Sequence, residues 1–300
     1  MVDIKTFQIE STLVPSPIQY DVLFPKDYKT SDEKYPLMLF LHGGGPKRHQ
    51  HLKNTGPRIQ EMWEQNKAPE MVVVTPLCDR CFYMDYKDGS EKWESFILNE
   101  LLPHLQNEYR VSLGKKNTFI GGISMGGLGS LRLGFKYLDR FGAILSFEPG
   151  IEPVFEWKDV KTIDKFYRQR KFMEKVFGSP IDENYWSENN PAYIVRENAE
   201  KIRNSDIKIY LEVGTEDFFG LFRGAEFLHR ILFDRNIRHE FRYVYGADHL
   251  GVSFTERIIN GFSFLNRIIN PLEEPIEVIN ARKFFNLMRE NALRKEENKS

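Results

Sequence analysis

Three hundred residues exceed the ~150 typical of one domain, although large α/β domains often run this long as a single unit. Hydrophobic residues make up 41% and charged residues 28%, a globular balance that excludes a largely disordered, collagen-like or membrane-embedded chain. Lys and Arg total 42 against 43 Asp and Glu, with no block of like charge long enough for a polyanion-binding arm, so nucleic acid is not an expected partner.

No apolar run of signal-peptide length opens the chain and none elsewhere reaches the length of a membrane span, so the expected location is the cytoplasm, away from any membrane. Strand character comes first at residues 7–13 and 18–24, separated by Pro15-Ser16-Pro17, a pattern that predicts an antiparallel hairpin. The apolar run 36–41 ends in His42-Gly43-Gly44-Gly45 and reads as a strand buried on both faces. A short helix is predicted at 59–65 and a β-branched strand at 71–75. Cys78 and Cys81 follow, too few for a disulfide framework; their spacing suits redox chemistry or half a zinc site, but no second pair and no thioredoxin-like context accompany them. No metal and no cofactor are expected.

Trp93, Phe96, Ile97, Leu101 and Leu105 recur at helical spacing, which predicts an amphipathic helix over 93–109 with a kink at Pro103. Strands are predicted at 118–123, 141–147, 207–213 and 239–245, and helices at 128–138, 224–233 and 254–269. Strands alternating with helices imply a mostly parallel central sheet with helices on both faces, opened by the hairpin at its edge. The exception is 151–206, an aromatic and charged stretch between two core strands, read as a partly helical lid or cap over one end of the sheet. Its Trp157, Tyr185 and Trp186 are candidates to line an apolar acyl or aryl pocket, with core packing of the insertion as the equal alternative. The main domain is thus 1–270, and 271–300 is a charged helical extension. Ala281, Phe284, Phe285, Met288 and Ala292 form an apolar stripe on it, which is read either as docked on the body or as a homodimer contact.

The sharpest local signal is Gly122-Ile123-Ser124-Met125-Gly126, a Gly-x-Ser-x-Gly at the end of a predicted strand and the start of a predicted helix. A serine on such a turn projects its hydroxyl from the sheet but needs a base, and the base needs an acid behind it. Strand 207–213 runs into Gly214-Thr215-Glu216-Asp217; Asp217 is the chosen acid and Glu216 its competitor. The loop after the next strand supplies His249 as base, whereas no other histidine holds that place in the chain order; the adjoining Asp248 is given a turn or surface role. An oxyanion hole needs two backbone N–H donors. Met125, which follows the nucleophile, offers one, and the glycine loop offers the other, with Gly44 favoured over Gly43.

The set Leu41-His42-Gly43-Gly44-Gly45, Gly122-Ile-Ser124-Met-Gly-Gly127, Gly214-Thr-Glu-Asp217 and Ala247-Asp-His249 resembles the esterase D-type branch of the α/β-hydrolases, over about 8–269. That branch includes S-formylglutathione hydrolases, feruloyl and acetylxylan esterases, enterobactin-type esterases and mycolyltransferases. The resemblance implies an α/β-hydrolase fold, a small-molecule ester substrate, and the same assignment of Ser124 as nucleophile, Asp217 as acid and His249 as base. The residues therefore point to a serine esterase. An acyltransferase using the same triad is the runner-up, followed by a peptidase and a non-catalytic binding protein on the same fold.

Overall fold

A computed structural model describes residues 3–297; the first two residues of the N-terminal segment and the last three of the C-terminal tail lie outside the described residues. The strands are β1 (Ile4–Ile9), β2 (Ile18–Leu23), β3 (Leu37–Leu41), β4 (Val72–Pro76), β5 (Thr118–Ile123), β6 (Ala143–Phe147), β7 (Lys208–Gly214) and β8 (Glu240–Val244). They form one sheet in the order β1-β2-β4-β3-β5-β6-β7-β8. β1 and β2 form an antiparallel hairpin, β2 joins β4 antiparallel, and every further pairing is parallel. This is the α/β-hydrolase architecture anticipated above.

The continuous apolar runs follow from a sheet covered on both faces. Along β3, Leu37, Leu39 and Leu41 enter one core while Met38 and Phe40 enter the other. Helices α1 (His51–Glu64) and α10 (Ser253–Ile269) cover the second face through Leu52, Ile59, Met62, Ile258, Phe262 and Leu265. The first face is covered by α2 (Trp93–Ser95), α3 (Leu102–Glu108), α4 (Met125–Lys136), α8 (Pro191–Asn204) and α9 (Phe222–Asp234).

Several boundaries depart from the sequence reading for identifiable reasons. β1 ends at Ile9 because the next residues are held as a loop: Ser11 Oγ donates to Glu100, and the Leu13 and Val14 amides donate back to Ser11 Oγ at 3.0 and 3.2 Å. α1 begins eight residues before the expected start, and Gly56-Pro57 lies inside it. Pro57 lacks an N–H for the Lys53 carbonyl, and both residues lie on the exposed side of the helix. Between α2 and α3 the chain widens into a π-helix, Phe96–Leu101, and Pro103 falls in the first turn of α3, where proline is tolerated.

The segment read as a single insertion divides in two. Its last part, α8, is the crossover helix that joins β6 to β7 and packs on α4 and α9. Only 151–190 is an excursion, built from the short helices α5 (Thr162–Lys165), α6 (Arg170–Phe177) and α7 (Glu183–Glu188). In the tail, α11 (Ile276–Glu297) is helical, and Phe284, Phe285 and Met288 are all more than half exposed, so of the two readings of this stripe the docked one is not seen among the described residues. No helix among the described residues is long and apolar enough to cross a membrane.

α4, which follows the turn at Ser124, is anchored by a buried ion cluster. Arg132 donates to Glu94, to Asn189 Oδ1 at 3.1 Å and to Tyr83 O, while Lys136 Nζ lies 2.8 Å from the other Glu94 oxygen. Burial works to raise the Glu94 carboxyl, but Arg132 and Lys136 outweigh it and hold it at about 2. Removing one member of such a cluster strands the others. Arg132→Ala is therefore expected to lower unfolding free energy by about 3–5 kcal/mol in urea denaturation; a loss below about 1 kcal/mol would show the cluster to be solvated.

Candidate active site

Ser124 sits between β5 and α4 with φ 58° and ψ −112°, a conformation that costs a non-glycine residue of order 1–3 kcal/mol. The surroundings impose it. Ser124 N donates to Phe147 O at 2.9 Å, Leu128 N donates to Ser124 O at 2.9 Å, and the flanking glycines press against β3. A methyl group on Gly122 would lie 2.5 Å from Leu41 O, and one on Gly126 only 2.1 Å from the same oxygen. Only glycine fits either position.

Ser124, Met125, Gly44 and His249 all line one cavity of about 720 Å³. His249 Nδ1 is 2.7 Å from Asp217 Oδ2, and both residues are buried. Asp217 Oδ1 accepts from the Phe219 and Leu221 amides at 2.9 and 3.1 Å, which fixes the carboxylate as the first turn toward α9 forms. Glu216, the competing acid, is exposed and takes a bond from Thr215 Oγ1 instead. Phe218 and Phe219 flank the imidazole with ring centroids at 5.3 and 4.8 Å. Asp248 Oδ1 accepts from Phe218 N at 3.0 Å and from His249 N at 2.6 Å, so it ties the histidine loop to the acid loop.

The aromatic candidates of the insertion lie elsewhere. Trp157, Tyr185 and Trp186 do not line the cavity. Trp186 is buried, Trp157 packs on it at 5.4 Å, and Tyr185 OH donates to Asp85 O at 2.6 Å, so these rings form the interior of the insertion. The insertion meets the cavity through Tyr167, Arg168, Gln169 and Phe172 instead.

Beneath the glycine loop, Cys78 Sγ lies 3.4 Å from His42 Nε2, and Cys81 Sγ donates to Cys78 Sγ at 3.6 Å; both thiols are free and buried. Burial pushes against ionisation of Cys78, yet the bond from Cys81 and the facing His42 imidazole hold its thiol well below the usual range. The row does not close into a zinc site: among the described residues the only metal-type cluster is Glu148, Asp217 and His249. There the histidine and aspartate atoms bond each other and Glu148 Oε1 pairs with Arg257, while Glu148 Oε2 is buried without a partner among the described residues.

Glu148 and Arg257 were not foreseen. Glu148 follows β6 directly with φ 46°, is fully buried, and accepts from Gly214 N at 3.0 Å and from Arg257. Arg257 also donates to Asp248 O at 2.6 Å and approaches Glu212 at 3.7 Å. The available signal was an acid at the carboxyl end of a core strand, in Phe147-Glu148-Pro149-Gly150.

A family model described as "Putative esterase" matches residues 11–258. An acetyl esterase from Caldicellulosiruptor saccharolyticus is 28% identical over 202 residues, which cover 66% of this chain and 71% of that protein. Among solved structures, a ferulic acid esterase superposes with a TM-score of 0.69 at 22% identity, covering 89% of this chain and 98% of its own. An S-formylglutathione hydrolase from Agrobacterium tumefaciens gives a TM-score of 0.66 at 20% identity, covering 87% and 92% respectively. Both superpositions show a shared fold.

Behind the histidine loop, burial pushes the Glu212 carboxyl up to about 8 from 4.5, with Tyr210 OH bonded to it. Folded chain then holds this proton where unfolded chain releases it. Its stabilising contribution is complete below pH 4.5, falls by about 1.4 kcal/mol per unit as pH rises toward 8, and is gone above it. Denaturation midpoints between pH 5 and 9 should show that decline, and Glu212→Gln should flatten it; an unchanged slope in the variant would refute the assignment.

Proposed function

The chain belongs to the esterase family and is a carboxylic ester hydrolase, and we propose that it acts through an acyl-enzyme on Ser124, with His249 as base and Asp217 as its orienting acid. The observation that carries this reading is the 2.7 Å bond between His249 Nδ1 and Asp217 Oδ2 at the wall of the cavity that Ser124 also lines. A carboxylate only accepts, so the imidazole proton resides on Nδ1 and the Nε2 lone pair is left to take a proton from serine.

In the first half-reaction Ser124 Oγ bonds to the ester carbonyl carbon as its proton passes to His249 Nε2. The tetrahedral intermediate collapses with cleavage of the ester C–O bond, and the leaving alkoxide takes the proton from His249. Water then repeats the sequence on the acyl-enzyme, giving up one proton to His249 and releasing the carboxylic acid and Ser124. The Met125 amide at the start of α4 and the Gly44 amide are the proposed oxyanion donors. Gly44 lies against the Met125 side chain, since a methyl group on it would be 3.7 Å from Met125 Sδ. The proposed substrate is a small-molecule ester that enters the cavity without a metal or cofactor.

Hydrolysis of a short p-nitrophenyl ester should vanish in Ser124→Ala, and a fluorophosphonate should label Ser124 in the wild type by mass spectrometry. Asp217→Asn should lower kcat by about 10³–10⁴-fold while leaving the fold intact by circular dichroism. Label on another residue, or activity surviving in Ser124→Ala, would refute the proposed nucleophile.

A further inference from the structure

The cavity that opens on Ser124 does not share the charge balance of the chain. Lys and Arg total 42 against 43 acidic residues overall, yet the cavity is lined by Lys47, Arg48, Arg58, Arg80 and Arg168 with no Asp or Glu. Three of these cations are neutralised from behind: Arg48 by Asp79, Arg58 by Glu61, and Arg168 by Glu152. Lys47 and Arg80 have no acidic partner among the described residues. Uncompensated charge in a cleft with apolar walls focuses its field on whatever enters.

Arg80 is held in place. Its Nε donates to Gly44 O at 2.8 Å, and a methyl group on Gly44 would lie 3.7 Å from its Cγ. Neither Nη group has a protein partner among the described residues. The planar end of the guanidinium, whose paired donors match a carboxylate, is thus fixed beside the proposed oxyanion loop.

The same lining carries six aromatic side chains, Phe82, Tyr167, Phe172, Phe218, Phe219 and Phe254. Three polar atoms of lining residues are also buried without a hydrogen-bond partner: His51 Nε2, Arg58 Nε and Tyr167 OH. His51 is itself more than nine-tenths buried. The cavity's volume of about 720 Å³ is ample for a substituted ring.

We infer that the substrate is an aromatic ester carrying a carboxylate, its ring held among the phenylalanines and its carboxylate gripped by Arg80 and Lys47. This rests on the serine-esterase reading of the same cavity.

Two isosteric pairs test it. 4-Acetoxybenzoate against 4-acetoxybenzamide places the charge on the alcohol side, and monomethyl terephthalate against methyl 4-carbamoylbenzoate places it on the acyl side. In at least one pair the wild type should favour the carboxylate by about tenfold or more in kcat/KM at low ionic strength, and added salt should shrink the preference. The ratio within a pair is the readout, because Arg80→Gln also removes the bond to Gly44 and lowers both rates. In Arg80→Gln the ratio should fall toward one, Lys47→Gln should lower it in part, and Arg80→Lys should restore part of it. Ratios near one in both wild-type pairs, or a preference that survives Arg80→Gln and Lys47→Gln, would overturn the inference. Turnover of the neutral esters that is lost in Ser124→Ala would leave the esterase mechanism standing in either case. If none of the four esters reacts, protection of Ser124 from fluorophosphonate labelling by 4-hydroxybenzoate against 4-hydroxybenzamide supplies the same comparison, and equal protection, or no labelling at all, overturns it.

Discussion

Everything at the site depends on how closely three backbones meet beneath Ser124. β3 ends at Leu41, β5 turns into α4, and β6 ends at Phe147, all within hydrogen-bonding or van der Waals contact of the turn. A serine at φ 58° is unfavourable taken alone, and it persists because the ladder bonds and the glycine contacts on either side leave no relaxed alternative. The constraint then propagates outward. Because Ser124 and Met125 are fixed to the sheet, Gly43 packs against Ser124, where a methyl group would be 3.3 Å from its Cβ, and the whole glycine loop takes its position from the elbow.

The histidine side is built on different physics. Tyr245, Leu250 and Val252 in the loop around His249 are all exposed, so little apolar burial holds that loop. Its fixed points are polar: Arg257 to Asp248 O, Asp248 to the Phe218 amide, and Asp217 to His249. Behind them, Glu148, Glu212 and Arg257 combine two acids with one guanidinium out of reach of water. A proton retained on Glu212 brings that cluster to neutrality, which explains how two buried carboxyl groups coexist beside an Asp-His pair. Ser124 is thus placed by packing and His249 by charge.

What the sequence disclosed was governed by local contacts. The sheet strands were visible because each is buried on both faces and so reads as an unbroken apolar run. The elbow was visible because its steric demand falls on adjacent residues, Gly122 and Gly126. Asp217 and His249 were visible from chain order against strand ends. Residues whose role comes from burial assembled at long range stayed hidden. Glu148 and Arg257 are charged, and charge ordinarily means exposure; nothing near them in sequence reveals that they lie 109 residues apart in one ion pair. The aromatic content of the insertion misled for the converse reason. Trp157, Tyr185 and Trp186 are suited to a pocket or to a core, and a segment as short as 151–190 needs large rings for its own interior first.

A run of three glycines would be expected to be mobile, yet an oxyanion donor must be stationary before charge develops. The segment after β4 resolves this by gripping the loop from two directions. From below, Cys78 faces His42 Nε2 and Tyr83 OH donates to His42 O at 2.9 Å; from the cavity side, Arg80 donates to Gly44 O at 2.8 Å. The glycines supply the clearance that Ser124 and Met125 require, and the residues around Cys78–Tyr83 supply the rigidity that glycine lacks. Cys78 therefore has a structural role that its spacing from Cys81 does not suggest, as the anchor for the histidine that begins the loop. Arg80 in turn couples the loop to the charge that the cavity presents, so one short segment both steadies the proposed oxyanion hole and shapes what can be bound beside it.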